Sequence, residues 1–135
     1  MNQAVEQWII AQYPLFERAR YPNTSYGYGG FECPSGWTIL LAQFAEEVVR
    51  LEIQRLVIYQ IKEKLNQLRI CAECEDEKAG LLDDLVMNIE YASTRVCGRC
   101  GDKLTHPHHC IRHEASIIRL TPKLERLIIK YRRTR

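Results

Sequence analysis

The sequence has no apolar run long enough to cross a membrane. No stretch of its 135 residues approaches the roughly twenty consecutive apolar residues that a spanning helix needs. The opening segment, MNQAVEQWIIAQYP, lacks a basic leader and carries Glu6 inside its short apolar stretch, which is not the pattern of a secretion signal. These two absences predict a soluble protein with no membrane association, in a reducing cytoplasmic compartment.

The sequence also lacks the short signatures of common catalytic sites. It has no HExxH, no GxSxG, no phosphate-cradling GxxxxGK[ST], and no His-x-Glu ahead of a Pro-Cys-x-x-Cys. Internal repeats and low-complexity linkers are missing as well, so no domain boundary is predicted. With 46% hydrophobic and 27% charged residues, the composition is that of one folded domain over residues 1–135. We therefore expect a single, non-enzymatic domain.

Cysteine and histidine are present in a dense cluster. Residues 97–113, CGRCGDKLTHPHHCIRH, contain three of the six cysteines and all four histidines. In a reducing compartment, clustered cysteines separated by two residues indicate a metal site more often than a disulfide. A structural Zn²⁺ site needs four converging sulfur or nitrogen donors, and this segment supplies them as two pairs. The predicted ligands are Cys97, Cys100, Cys110 and His113.

The spacing within each pair suits this role. Cys97 and Cys100 can form a tight knuckle, followed by Gly101 where such a turn needs positive φ or a close backbone approach. Cys110 and His113 are one helical turn apart, which puts both side chains on the same face of a helix. A knuckle joined to the first turn of a helix is a treble-clef-like arrangement.

Other ligands and other uses of the cysteines stay open. The remaining histidines are His106, His108 and His109. Any of them can replace His113, and Cys71 with Cys74 can supply a second pair. Residues three apart on a strand face opposite ways, however, and the usual state of such residues, as of Cys33, is a buried free thiol. A redox use of the knuckle pair requires a strand that leads into a helix N-terminus, whereas a helix is predicted before the pair.

Hydrophobic periodicity predicts three helices in the first part of the chain. A short helix over residues 2–12 is closed by Pro14, and Ser35 caps a second helix. The apolar stripe of the second helix is Trp37, Leu40, Leu41, Phe44, Val48 and Leu51. A third amphipathic helix covers residues 81–95 and leads directly into the knuckle.

Between the second and third helices the period changes to that of strands. The alternating residues are Val57, Tyr59 and Ile61, then Leu68, Ile70 and Ala72. They predict a two-stranded hairpin, with a continuous helix through KEKLNQLR as the competing interpretation. The predicted fold class is therefore α+β, mainly helical, with a small two-stranded hairpin and a treble-clef-like zinc knuckle.

An aromatic segment, RYPNTSYGYGGFECPSG, precedes the second helix. Its glycines and prolines predict a loop with turn chemistry. Tyrosine offers a large contact area at a small entropic cost, so such a loop is a natural binding patch. The predicted partner-binding residues are Tyr21, Tyr26, Tyr28 and Phe31.

The formal net charge of +2 hides two segregated segments. Residues 73–90 carry seven acids and one base, a net of −6, whereas residues 117–135 carry seven bases and one acid, a net of +6. The segments can pair with each other, or the acidic one can mimic phosphates while the basic one binds them. Thr121 and Pro122 start a predicted helix over 121–133, whose basic face is a solvated surface or a contact to nucleic acid. The residues of that face are Lys123, Arg126, Lys130, Arg132 and Arg133.

The order of four motifs resembles that of a widespread group of small phage and prophage proteins of uncharacterised function. The motifs are GFECPSGW, QIKEKLNQLRI, EYAS before CGRCG, and HCIRHEA, between Phe31 and Ala115. The resemblance implies Cys97, Cys100, Cys110 and His113 as metal ligands, and it leaves Cys71 and Cys74 outside the site. This chain departs from the group by having LNQ where a glycine-containing turn is common, and by its long basic tail.

The resemblance implies a viral accessory protein in the cytoplasm of a bacterial host cell. The expected function is non-enzymatic binding to a host protein complex, for example to inhibit restriction or CRISPR-type defence. Direct binding of nucleic acid by the basic helix is the alternative. A nuclease of the HNH type, built on a treble clef with the HPHH histidines beside the knuckle, is the second alternative.

Overall fold

The computed structural model describes residues 1–104 and shows a mainly helical α+β fold, which confirms the predicted class. The elements are α1 (Gln3–Gln12), α2 (Leu15–Arg18), α3 (Ser25–Gly29), β1 (Phe31–Glu32), α4 (Thr38–Arg50), β2 (Val57–Lys64), β3 (Gln67–Glu73) and α5 (Ala79–Ser93). Short 3-10 turns lead into α4 and α5, at Ser35–Trp37 and Asp76–Lys78. The strand β1 is an addition to the predicted hairpin. The predicted basic helix over 121–133 lies outside the described residues.

The first helix begins and ends close to its predicted bounds. The side chain of Asn2 accepts a hydrogen bond from the amide of Ala4 at 2.9 Å, which caps α1. Its buried residues, at helical spacing, are Val5, Trp8 and Ile9. Pro14 follows as the cap residue of α2, where its fixed φ starts a new turn without a lost hydrogen bond.

The stripe of α4 forms the centre of the core, as predicted, but the predicted cap is wrong. Trp37, Leu40, Leu41, Phe44 and Val48 are buried, and Leu51 packs against them. Ser35 makes no side-chain bond to the start of α4; its hydroxyl oxygen accepts the amide of Asn2 at 2.8 Å. The 3-10 turn already pairs the amides of Trp37 and Thr38 with the carbonyls of Pro34 and Ser35, so no serine cap is needed there.

The sheet has the order β1-β2-β3, with β1 parallel to β2 and β2 antiparallel to β3. Phe31, Ile61 and Ile70 are aligned across the three strands and all are buried. Because successive side chains of a strand alternate between faces, the next row points the other way. That row is Glu32, Lys62 and Arg69. We call the face that carries it the outer face of the sheet.

A β-bulge changes the predicted alternation of β2. The register shifts between Ile58 and Gln60, so Tyr59 is an extra residue. Ile58 and Ile61 are buried, whereas Val57 and Tyr59 are only partly covered. The predicted hairpin is present, but Val57 and Tyr59 do not share the buried face of Ile61. The pattern of β3 is confirmed, with Leu68 and Ile70 buried and Ala72 partly buried.

The hairpin turn contains two non-glycine residues in the left-handed region. Leu65 has φ 53° and Asn66 has φ 59°, and positive φ at both central positions is the requirement of a type I′ turn. This turn matches the twist of the flanking strands. The structure thus assigns a turn type to LNQ, which lacks the glycine expected there.

The last described helix covers both the inner face and the free edge of β3. Leu82, Leu85 and Ile89 of α5 are buried in the core. The hydroxyl oxygen of Ser93 accepts the amide of Leu68 at 2.9 Å, and the carboxylate of Glu90 accepts the amide of Ile70 at 3.1 Å. These bonds occupy amides that an open sheet edge exposes. None of the helices in residues 1–104 has the length and apolar character of a membrane span.

Candidate metal centre and partner surface

A tight loop follows α5 and holds the predicted cysteine pair. The amide of Cys97 donates to the carbonyl of Asp102 at 2.8 Å, and the amide of Leu104 donates to the carbonyl of Arg95 at 2.7 Å. The loop is therefore the tip of a small antiparallel hairpin. Gly101 has φ 72° and its amide donates to the carbonyl of Cys97 at 2.8 Å. Positive φ at Gly101 confirms that prediction, and it is a conformation that disfavours residues with a β-carbon.

The knuckle, residues 97–101, is fixed by the turn that begins α4. The amide of Gly36 donates to the carbonyl of Gly98 at 2.7 Å, and the indole Nε1 of Trp37 donates to the carbonyl of Val96 at 2.9 Å. A β-carbon at Gly36 would collide with the backbone of Cys97 and Gly98, at separations well under 3.0 Å. Only glycine permits this close approach of two chain segments. The GW motif therefore has a structural role, which is to position the cysteine pair.

Both cysteines of the knuckle are buried. Cys97 is 6% exposed and Cys100 is 0% exposed, and with Leu104 they form a cluster separate from the main core. Two buried sulfur donors on a closed knuckle fit one half of a tetrahedral zinc site. The helix α5 lies before the pair, as predicted. Within residues 1–104 the pair is thus not at a helix N-terminus, where reactive Cys-x-x-Cys pairs are found.

The second half of the predicted zinc site lies outside the described residues. This applies to Cys110 and His113 and to the alternatives His106, His108 and His109. Among residues 1–104, no group of three or more cysteine, histidine or acidic side chains could hold a metal ion. The described part of the chain contributes Cys97 and Cys100, and the remaining ligands stay a prediction.

The other described cysteines are free thiols in three different settings. Cys33 is 4% exposed, and its burial raises the pKa of the thiol to about 12. Cys71 is exposed on the outer face of β3, where a buried thiol was the default expectation. Cys74 follows the strand, its thiol donates to the carbonyl of Glu75 at 3.3 Å, and partial burial raises its pKa. Cys71 and Cys74 therefore do not converge on one point.

Half of the predicted aromatic patch is buried. Tyr21 and Tyr28 are 59% and 79% exposed, whereas Tyr26 and Phe31 are 0% and 3% exposed. The prediction that Tyr26 and Phe31 contact a partner is wrong. The Tyr26 ring packs edge-on against Phe31 at 5.4 Å, and its hydroxyl donates to the carbonyl of Phe16 at 2.9 Å. Both side chains belong to the core.

Secondary structure within the aromatic segment explains this division. The hydroxyl oxygen of Thr24 accepts the amide of Gly27 at 3.0 Å and caps α3, where a loop was predicted. Residues two apart on a helix point in nearly opposite directions, so Tyr26 faces the core when Tyr28 faces solvent. Phe31 lies in β1 and pairs with buried Ile61.

Tyr59, one of the alternating residues that predict the hairpin, lies near the exposed part of the patch. An isolated bridge between Arg20 and Ile58 brings Tyr21 alongside Tyr59. The Tyr59 hydroxyl donates to the carboxylate of Glu73 at 2.9 Å, and this hydrogen bond raises the pKa of Tyr59. No sequence signal reports the bulge that turns Tyr59 outward, because it depends on the register of two strands.

Some carboxylates of the acidic segment 73–90 accept hydrogen bonds within the fold, and others are exposed to solvent. Glu90 binds the amide of Ile70 and Glu73 binds Tyr59. The fully exposed carboxylates of the segment, apart from Glu73, are Asp76, Glu77, Asp83 and Asp84. The predicted pairing with segment 117–135 involves residues outside the described part of the chain.

No protein-family model matches the chain, and neither a curated protein nor a solved structure is significantly similar to it. The resemblance to small phage proteins stays a prediction. Function must therefore be inferred from the geometry and chemistry of the described residues.

Proposed function

We propose that the chain is a non-enzymatic binding protein whose carboxy-terminal part is held together by a structural Zn²⁺ ion. The proposed ligands are Cys97, Cys100, Cys110 and His113. The proposal rests on one observation, the burial of both knuckle cysteines on a backbone that Gly36 and Trp37 hold in place. When bound, zinc stabilises two buried thiolates and cross-links the knuckle to the chain beyond residue 104.

The proposed partner is a protein complex of a bacterial host, which a small viral accessory protein without catalytic groups would block in an anti-defence role. Tyr21 and Tyr28 support a protein partner, because both are exposed whereas Tyr26 and Phe31 are buried in the core. The Tyr28 hydroxyl donates to the side chain of Asn23 at 2.9 Å, so its ring is oriented before a partner arrives. Preorganised tyrosines lose little entropy on binding and are common at the centres of interfaces.

Elemental analysis tests the metal. We expect one zinc ion per purified chain, and we expect Cys97→Ser to release it and to lower the melting temperature. Cys71→Ser is the matched control, because it removes an exposed thiol and leaves the knuckle intact. A chain without stoichiometric zinc, or an equal loss of zinc in the control, contradicts the proposal.

Affinity capture from bacterial lysate, read by mass spectrometry, tests the partner. Tyr21→Ala with Tyr28→Ala should abolish capture of a specific complex, whereas Tyr28→Phe alone keeps the ring and should retain it. Tyr91→Ala is the matched control, since Tyr91 is 64% exposed on α5. If Tyr91→Ala loses capture as strongly as the patch variant does, the assigned surface is wrong.

A further inference from the structure

The outer face of the sheet carries three cations near the hairpin turn, together with the acidic residues Glu32 and Glu73. Lys62 of β2 is the direct cross-strand partner of Arg69 of β3, and Lys64 lies two residues further along the same face of β2. Like charges placed directly opposite each other destabilise a strand pair, by roughly 0.2–1 kcal/mol. The hairpin therefore folds in spite of this pair.

Within residues 1–104, none of Lys62, Lys64 and Arg69 forms an ion pair with an acidic side chain. Arg20 pairs with Glu6 and Glu17, and Arg50 pairs with Glu47, on other parts of the fold. Glu32 of β1 is in register with Lys62 but does not approach it within ion-pair distance. A row of cations without an internal partner favours an anion supplied from outside the described part of the chain.

An aromatic ring lies on the same face. Ile58 and Ile61 are buried on the inner face, and the bulge leaves the intervening Tyr59 side chain on the outer face. The hydrogen bond from its hydroxyl to Glu73 restrains the ring at one end of the face, and Tyr21 lies alongside. A restrained ring beside a row of cations is the combination on which unpaired bases stack while their phosphates are neutralised.

We propose that the outer face of the sheet binds single-stranded nucleic acid, with phosphates on Lys62, Lys64 and Arg69 and a base stacked on Tyr59. A single strand fits better than a duplex, because only an unpaired base exposes its face to a ring on the surface of a sheet. This site does not involve the zinc knuckle, and it does not depend on the proposed function. It differs from the basic helix 121–133, since it lies wholly within the described residues.

Fluorescence anisotropy with a labelled oligothymidine of about twelve nucleotides tests the proposal, at salt concentrations between about 50 and about 200 mM. Three phosphate contacts predict a slope of log affinity against log salt of about −2 for a single strand. The variant Lys62→Gln/Lys64→Gln/Arg69→Gln should lose that slope and most of the binding at low salt. Its zinc content should stay unchanged, which separates this result from a failure of the knuckle.

The matched control is Arg18→Gln/Arg50→Gln/Arg55→Gln, which removes the same charge from α2, α4 and the loop after α4. It should bind the oligonucleotide as the unmodified chain does. Tyr59→Leu should weaken binding roughly fivefold or more at every salt concentration, and Tyr59→Phe should not, because the phenyl ring still stacks. Absence of binding by the unmodified chain at low salt, or an equal loss in the arginine control, overturns the proposal.

Cys71 provides an independent footprint. It is exposed on the outer face and pairs with Gln60, whereas Cys74 lies beyond the strand and is partly buried. Saturating oligothymidine should slow the alkylation of Cys71 by N-ethylmaleimide and leave the rate at Cys74 unchanged. An unchanged alkylation rate at Cys71 overturns the proposal. Displacement of the oligonucleotide by polyglutamate at equal charge concentration also overturns it, since the face then binds acidic protein as well as it binds nucleic acid.

Discussion

The indole Nε1 of Trp37 donates a hydrogen bond of 2.9 Å to the carbonyl oxygen of Val96, a residue 59 positions further along the chain. This bond joins the 3-10 turn that leads into α4 to the segment that enters the knuckle. The amide of Gly36 adds a second bond to the same segment, at Gly98. The cysteine pair is therefore positioned by the main core and not by its own loop alone.

Loss of the indole donor should loosen the knuckle. Trp37→Phe keeps a ring in the core but leaves the Val96 carbonyl without its partner, which typically costs about 1–3 kcal/mol. We expect this decrease in the free energy of unfolding, measured in urea, together with weaker zinc retention in a chelator competition. Stability within about 0.5 kcal/mol of the unmodified chain would show that the bond does not support the knuckle.

Two glycines should respond to alanine in opposite directions. At Gly36 the new methyl group collides with the backbone of Gly98, and such overpacking costs about 1–3 kcal/mol or more. At Gly80, in the first turn of α5, a β-carbon would meet no atom within 4 Å beyond its chain neighbours and the backbone of its own helix, so Gly80→Ala should stabilise the helix by up to about 1 kcal/mol. Thermal unfolding of both variants checks the prediction. Equal effects at the two positions would contradict the packing of the knuckle against α4.

Truncation of a buried aromatic residue should lower the free energy of unfolding much more than truncation of an exposed one. Phe31→Ala removes a buried ring that contacts both Phe16 and Tyr26, and such truncations cost about 3–5 kcal/mol. Tyr28→Ala removes a ring that is 79% exposed and should change stability by no more than about 0.5 kcal/mol. Denaturant titration measures both values. A large loss in Tyr28→Ala would place that ring in the core and not on a binding surface.

Alkaline pH should destabilise the fold through Tyr26. Burial raises the pKa of its phenol above the ordinary 10.0, so it stays protonated in the folded chain at pH values where it ionises in the unfolded chain. Its contribution to stability is thus complete below pH 10.0 and is lost as pH rises further.

The variant Tyr26→Phe isolates this effect. It should cost about 1 kcal/mol at neutral pH, because the carbonyl of Phe16 loses its donor. Above pH 10.0 its stability should fall less steeply than that of the unmodified chain. Denaturation followed by circular dichroism along a pH series measures the loss at neutral pH and the slope above it. Tyr21→Phe is the control at an exposed tyrosine. Identical slopes in the two chains would contradict the burial of Tyr26.

Two substitutions in the hairpin turn should stabilise the fold. Leu65 is 81% exposed and has φ 53°, a conformation that costs a residue with a β-carbon roughly 1 kcal/mol. Leu65→Asn with Asn66→Gly supplies the pair that type I′ turns prefer and should raise the free energy of unfolding by about 1 kcal/mol. Leu65→Ala keeps the unfavourable φ, so it should have little effect in the same denaturation assay.

Periodicity was sufficient for the elements whose apolar residues follow one repeat without interruption. The stripe of α4 and the alternation of Leu68 and Ile70 are both present as predicted. It failed where the backbone departs from a regular repeat. The bulge at Tyr59 and the short helix α3 reverse the direction of single aromatic side chains, and neither has a repeat long enough to be recognised.

Local spacing along the chain was enough to predict the fold class, the main helices and hairpin, and the closely spaced pair Cys97 and Cys100. Long-range packing was needed to establish that the pair packs on Gly36 and Trp37, that Tyr26 is buried while Tyr28 is exposed, and that Lys62 lies opposite Arg69. These relationships join residues from different elements. They depend on strand register and on the packing of one element against another, and neither is encoded in the spacing of residues within a single segment.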